Sequence, residues 1–351
     1  TAGLPLGRRY TFSSEAIFEE LRLVSQLDGP LQFMLGLYYE DIDHQGLNPI
    51  YAFTDAAINA LGNPFAGTDP FLFLIVSDDN SLKQQAFFGE LSYDITEQFE
   101  LTVGARRFDY ERNAVTTVDR GTSGSTTTVG KFDETGTSFK VNLSYEPNPD
   151  ALVYAQFSEG FRLGNINFPV ELDLCDTNSD GILDGTNTPI SPGFDSNGVE
   201  NIELGTKLTL LNNRLQINAA VYRMDWNDLP VSVNTLVCPE TVRVNAGSAR
   251  SQGFEIESTY QFNESLRLSL GGAYANVELT EDAPELSALS GDRLPNSPDY
   301  SANLGLMYDF ELGGHASYVR GDYAYVGGFY NQIGEIGEKA GDYGQLNMSA
   351  G

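Results

Sequence analysis

The sequence predicts an all-β fold, an antiparallel transmembrane β-barrel segment of about thirteen strands belonging to a larger barrel. Three observations carry this expectation. The links between candidate strands alternate short and long, the strands alternate apolar and polar residues, and tyrosines recur at one height beside the short links. The short links are Asp28 to Pro30, Thr96 to Gln98, Glu146 to Asp150, Leu211 to Asn213, Asn263 to Ser265 and Gly313 to Gly314. The long ones fall at roughly 43–82, 115–136, 162–199, 228–241, 280–298 and 327–342. A soluble sandwich has no reason to gather its long loops at one end, whereas an outer-membrane barrel has short turns inside and long loops outside.

Successive side chains of a strand point to opposite faces, so a wall in lipid should read apolar on one face and polar or small on the other. Phe139, Val141, Leu143 and Tyr145 oppose Lys140, Asn142 and Ser144. Next in order, Ile202, Leu204, Leu208 and Leu210 oppose Glu203, Gly205, Lys207 and Thr209. Phe254, Ile256, Tyr260 and Phe262 oppose Gly253, Glu255, Glu257 and Gln261, and Tyr300, Leu304, Leu306, Tyr308 and Phe310 oppose Ser301, Asn303, Gly305 and Asp309. Tyr343 to Gly351 keeps the same alternation. A soluble sheet with one buried face would also alternate. The tyrosines separate the two cases. Tyr93, Tyr145, Tyr260 and Tyr308 lie on the apolar face just before short turns, joined by Phe262 and Phe310, as an interfacial aromatic girdle requires.

The pattern is uniform over residues 1–351, so the chain reads as one unit. The longest apolar run, Pro70 to Val76, falls well below the ~18–20 residues of a transmembrane helix. A formal net charge of −29 disfavours nucleic acid and anionic lipid surfaces as partners. Residue 1 is Thr with no charged and apolar leader after it, and an odd strand count is unusual for a single-chain bacterial barrel. The expectation is therefore an internal piece of a larger wall.

Three stretches carry recognisable wording: Ser158-Glu159-Gly160-Phe161-Arg162, Asn245-Ala246-Gly247 running to Gly253-Phe254-Glu255-Ile256-Glu257, and Leu294-Pro295-Asn296-Ser297-Pro298. Leu215 to Trp226 followed by Asn227-Asp228-Leu229, and Phe18 to Ser25, add to them. Together they resemble the C-terminal barrel region of TonB-dependent outer-membrane receptors over most of residues 15–350. The resemblance implies a barrel of about 22 strands around an N-terminal plug. It also implies a TonB box on that plug, contact with the TonB complex and with outer-membrane lipid, and active uptake of a scarce ligand, a ferric siderophore first of all. Cobalamin, a saccharide or a passive porin-like barrel are the alternatives. Neither a plug nor a TonB box is recognised within residues 1–351.

No residue set among the loops is diagnostic of a ligand. The best candidates for ligand contact are the links 43–82, with Phe65, Phe71 and Phe73, and 162–199. The aromatic link reads either as a ligand-contacting surface or as a strand extension above the wall, and Asp55 to Leu61 could form a helical turn within it. Asp176, Asn178, Asp180, Ile182 and Asp184, with Gly181, match the spacing of a calcium loop, but Asn187 stands at the twelfth position where a bidentate Glu belongs. An Asx-turn loop without metal is the competing reading. The two cysteines, Cys175 and Cys238, both fall on the outer side, where a disulfide between loops is permitted. His44 and His315 fall at opposite ends of a wall roughly 25 Å tall, so they cannot share a catalytic site. No nucleophile or metal-protease motif is present, and the chain reads as a transporter segment rather than an enzyme.

Overall fold

Alternating, β-branched and aromatic stretches closed by tight turns fold into one continuous antiparallel sheet. The computed structural model describes residues 6–52, 72–167, 170, 172–233, 241–335 and 337–351. β1 (Leu6–Arg8) and β2 (Thr11–Val24) pair with successive stretches of β3 (Leu31–Ala52), so they occupy one position in the wall. β4 (Leu72–Asp94), β5 (Phe99–Asp119), β6 (Ser125–Asn148), β7 (Ala151–Arg162), β10 (Asn197–Leu210) and β11 (Leu215–Asn227) follow in order. The wall is completed by β14 (Ala249–Gln261), β15 (Leu266–Leu279), β16 (Tyr300–Leu312), β17 (His315–Val326) and β20 (Tyr343–Ala350). Among the described residues this gives thirteen wall positions, as the sequence predicts.

All six short links are found as turns on one side. Gly313 and Gly314, at φ 62° and 82°, form a two-residue turn that needs positive φ at both positions. The outer links depart from expectation in two places. Residues 115–136 are not a long loop, because β5 and β6 stay paired out to Asp119 and Ser125 and only Arg120 to Gly124 connects them. The described residues of 43–82 are likewise strand, paired from Leu31 and Tyr93 out to Tyr51 and Leu72. Above the membrane both faces of a strand are wet, so threonine-rich runs such as Thr126 to Val129 lose the apolar alternation but keep β-branched side chains that favour pairing. Polarity there signals height above the membrane, not a loop.

The lipid face is apolar and uncovered. Ile202, Leu204, Val221, Phe254, Leu304 and Leu306 are each at least 44% exposed. Such a surface would drive aggregation in water and costs nothing against acyl chains. At its lower edge Phe99 stacks on Tyr145 with ring centroids 4.4 Å apart, Tyr260 meets Phe262 at 4.4 Å, and Tyr308 stacks on Phe310 at 5.8 Å. Register places Tyr93, Tyr145, Tyr260 and Tyr308 beside residues next to the short turns, which forms the girdle. The opposite face is polar: Lys140 pairs with Glu90 at 3.0 Å, Tyr154 donates to Glu203 at 2.7 Å, and Arg106 lies 5.1 Å from the Tyr38 ring centroid. No helix among the described residues is long and apolar enough to cross a membrane.

The largest buried cluster lies in the outer loops rather than in the wall. β8 (Asn165–Ile166) pairs with β9 (Gly193–Phe194), β12 (Pro230–Val233) with β13 (Val242–Asn245), and β18 (Phe329–Tyr330) with β19 (Lys339–Ala340). Cys175, Leu183, Val233, Val242, Leu279 and Ala283 pack together between the loops that carry the first two pairs and the loop after β15. Wall strands solvate their apolar side chains in lipid, but loops in water must bury theirs against one another.

Candidate ligand-binding site at the lumen mouth

The extended strands β3 to β6 and the loop between β7 and β10 enclose a cavity of about 620 Å3 on the lumen side. Its wall is supplied by His44, Asp78, Asn80, Arg112, Thr116 and Thr128, and its roof by Asn165 to Asn167 and Ile190 to Pro192. Even-numbered positions of β3, β4, β5 and β6 face the lumen by the pairing register, which is why these residues share one face. A larger groove of about 800 Å3, with Leu21, Leu37, Phe87 and Arg107 in its lining, lies on the lipid side and is no candidate for a ligand arriving from water.

The roof folds inward because both ends of its loop are tied to the wall. Tyr110, 1% exposed, donates to the Glu134 carboxylate at 3.0 Å and accepts from the Ser196 hydroxyl at 3.0 Å and the Gly164 N–H at 2.9 Å. Gly164 and Ser196 bracket the loop. Beside them Phe161 stacks on Phe108 at 3.8 Å, and the Arg162 guanidinium sits 5.3 Å from the Trp226 ring. The Trp226 N–H donates to Asn197 at 2.7 Å. The Ser158 to Arg162 wording thus serves the root of the roof.

Asn245 explains the second stretch. Its side-chain amide accepts from the Asp195 N–H at 2.7 Å and donates to the carbonyls of Asp195 at 3.0 Å and Asp228 at 2.9 Å. Ala246 and Gly247 continue the contact through backbone bonds to Leu229. One side chain therefore joins two loops. At Gly253 a Cβ would collide with the Tyr274 carbonyl oxygen on β15, so glycine is what permits the close backbone approach there. Asn296 of the third stretch, at φ 59°, donates its N–H to the Tyr330 carbonyl at 2.8 Å and links the next two loops.

Residues 53–71, which hold Phe65, Phe71 and the helical turn expected at Asp55 to Leu61, lie outside the described residues, as does Cys238. Phe73 falls in β4, and its side chain lies outside the description. Cys175 is fully buried and is not a free thiol. In the acidic stretch the carboxylates turn onto their own backbone. Asp176 accepts the N–H groups of Asp180 and Gly181 at 2.9 and 3.0 Å, and Asp180 accepts that of Ile182 at 2.8 Å. The Thr177 hydroxyl, 2.6 Å from Asp184, holds that carboxyl below its ordinary range. Its contact is therefore complete near neutral pH and weakens as pH falls through the depressed value. Among the described residues no three His, Cys, Asp or Glu side chains are gathered to hold a metal. His44 stands in the cavity and His315 beside the Gly313 turn, far apart as expected. The sequence points to the roof loop but not to Tyr110 and Arg112, whose strand runs on beyond the membrane belt that its alternation marks.

Comparison with known proteins agrees with this architecture. The chain is 23% identical over 248 residues to "Probable TonB-dependent siderophore receptor PiuA" of Acinetobacter baumannii, a match covering 66% of this chain and 31% of that protein. It is 27% identical over 192 residues to "Metal-pseudopaline receptor CntO" of Pseudomonas aeruginosa, covering 52% of this chain and 23% of that one. The crystal structure of the ferric yersiniabactin uptake receptor FyuA from Yersinia pestis superposes with a TM-score of 0.77 at 17% identity, over 99% of this chain and 48% of that chain. That of the siderophore receptor PiuA superposes at 0.70 and 18% identity, over 97% and 50%. The chain thus spans under a third of the length of these curated relatives and about half of the solved receptors. The family described as "TonB dependent receptor-like, beta-barrel" matches residues 2–351, and the chain belongs to that family of outer-membrane receptors.

Proposed function

We propose that the chain forms part of the barrel wall of a receptor that takes up a ferric siderophore across the outer membrane, with the lumen-mouth cavity as part of its capture surface. One observation carries the reading. The loop between β7 and β10 is latched inward over a polar, lumen-facing cavity of a size suited to a small chelate. A passive pore gains nothing from such a roof. Ligand would settle between roof and strands, and force delivered through TonB to a plug held by the polar lumen face would release it inward. The chain supplies binding and guidance, not chemistry.

Radiolabelled iron uptake by iron-starved cells expressing the full-length receptor, with and without functional TonB, tests this. Uptake that needs TonB supports it; uptake of cobalamin or a saccharide instead, or passage independent of TonB, would replace it with another reading.

Two further assignments belong to the outer loops. We read the 176–184 stretch as a self-capped Asx-turn loop, since its carboxylates are already engaged by backbone N–H groups. Titrating calcium to millimolar concentration into the receptor should give no saturable heat from this loop, measured as the difference from an Asp180→Asn variant. We also pair Cys175 with Cys238, the chain's other cysteine. Alkylation with mass detection should label both only after reduction, and labelling without reductant would refute the bridge.

A further inference from the structure

We infer that the lumen-mouth cavity receives a carboxylate of the ligand on Arg112. This rests on the uptake reading and names the chemistry of its ligand. Arg112 lies on β5 between Leu82 and Phe132 in register, half-buried, and among the described residues its one hydrogen bond runs from Nη1 to the Asn165 side-chain oxygen at 3.2 Å. Its Nε is buried with no partner. Asp225 serves both Arg223 and Arg250, and Asp322 serves Arg320. Arg106 and Arg162 lie on aromatic rings. Among the described residues Arg112 has no ion pair and no ring stacked on it; the Glu40 carboxylate acts on it only from a distance, and burial outweighs that attraction.

A guanidinium drawn out of water without an anion leaves both charge and donors uncompensated. In a chain with 49 Asp and Glu against 20 Lys and Arg, an acidic partner for it would be easy to supply. The fork of an arginine matches a planar two-oxygen group, and the hydroxyls of Thr116 and Thr128 and the amide of Asn80 add neutral hydrogen-bonding partners around it. Asp78, also in the cavity and already bonded by Thr116 at 3.0 Å, would repel a phosphate group, with about two charges on one centre, more strongly than one carboxylate group of a chelate.

The test uses the full-length receptor in detergent with two probes, ferric citrate and the carboxylate-free trihydroxamate complex ferric desferrioxamine B. Isothermal titration is expected to show ferric citrate binding that Arg112→Gln weakens at least tenfold, about 1.4 kcal/mol. Arg112→Lys should restore it only in part, and the trihydroxamate should respond equally to both receptors. Heat-modifiable migration on gels confirms that the variants are folded. Wild-type affinity for ferric citrate in Arg112→Gln, or no binding of ferric citrate to the wild type, would overturn the inference. TonB-dependent uptake of the trihydroxamate iron, unchanged by Arg112→Gln and without citrate binding, would overturn it while leaving the uptake reading intact. Citrate binding through Arg112 in a receptor that imports no ferric chelate would do the reverse.

Discussion

Replacing Leu204 with arginine is expected to destabilise the folded barrel by about 2–4 kcal/mol, while Asn218→Arg on the neighbouring strand changes it by less than about 1 kcal/mol. Leu204 stands on the lipid face of β10, 53% exposed, between Ala155 of β7 and Val221 of β11. Below it the belt runs down to Leu210 at the turn, and above it Glu200 marks its upper edge. From Ile202 to Leu210 at about 3.3 Å per residue the apolar stretch is about 26 Å along a tilted strand, close to the height of a lipid-facing band. Leu204 therefore lies inside the belt, about 13 Å along the strand from Glu200 and about 20 Å from Leu210, where an arginine must reach far for water. Asn218 points the other way, between Lys207 and Glu257, and an arginine there meets polar neighbours and a carboxylate. Urea unfolding in lipid vesicles, followed by gel mobility, measures both. Equal costs for the two variants would mean that the wall does not stand in lipid, and a larger cost for Asn218→Arg that the lipid and lumen faces have been exchanged.

That comparison relies on what the sequence makes legible. Within the belt the environment on each face is uniform, so a period of two maps directly onto lipid and lumen, and Leu204 against Glu203 is readable without coordinates. The turns are legible for a similar reason, because two residues at positive φ leave few choices beyond pairs such as Gly313 and Gly314. Above the membrane the same rule fails. Thr116, Thr126 and Thr128 meet water or a polar cavity whichever way they point, and strand passes for loop at 115–136. The loop core is illegible too, since Cys175, Leu183, Val242 and Ala283 are brought together by tertiary contacts between segments with no shared period. Arg112 and Tyr110 fall in that gap. A usable signal is nonetheless present: Phe108, Tyr110 and Arg112 keep strand spacing in the segment next to the misread loop.

Tyr110→Phe is expected to loosen the roof without unfolding the wall. The change removes one buried hydroxyl that bonds Glu134, Ser196 and the Gly164 N–H. Two bonds of the ring survive, because Gly164 N–H also reaches Ser196 at 3.1 Å and Ser196 N–H reaches Glu134 at 3.2 Å. The loss should therefore lie within about 1–3 kcal/mol, the usual range for a buried polar group deprived of its partner. The phenyl ring of the variant would still fill the space between Phe108 and Phe132, so packing is retained and the effect isolates the hydroxyl. Local opening of the 164–196 loop should become about 5- to 150-fold more frequent, and backbone amides there should exchange with deuterium correspondingly faster. The strand amides of β5 and β6 should not change, because their ladder runs from Phe99 and Tyr145 to Asp119 and Ser125 without passing through the hydroxyl. If capture depends on the closed roof, ligand affinity falls by the same factor as the closed population, and a ligand that stabilises closure slows the exchange again. Unaltered exchange across Gly164 to Ser196 would show that the Phe161 stack and the Asn245 amide hold the roof on their own, and the latch would have to be reassigned to them.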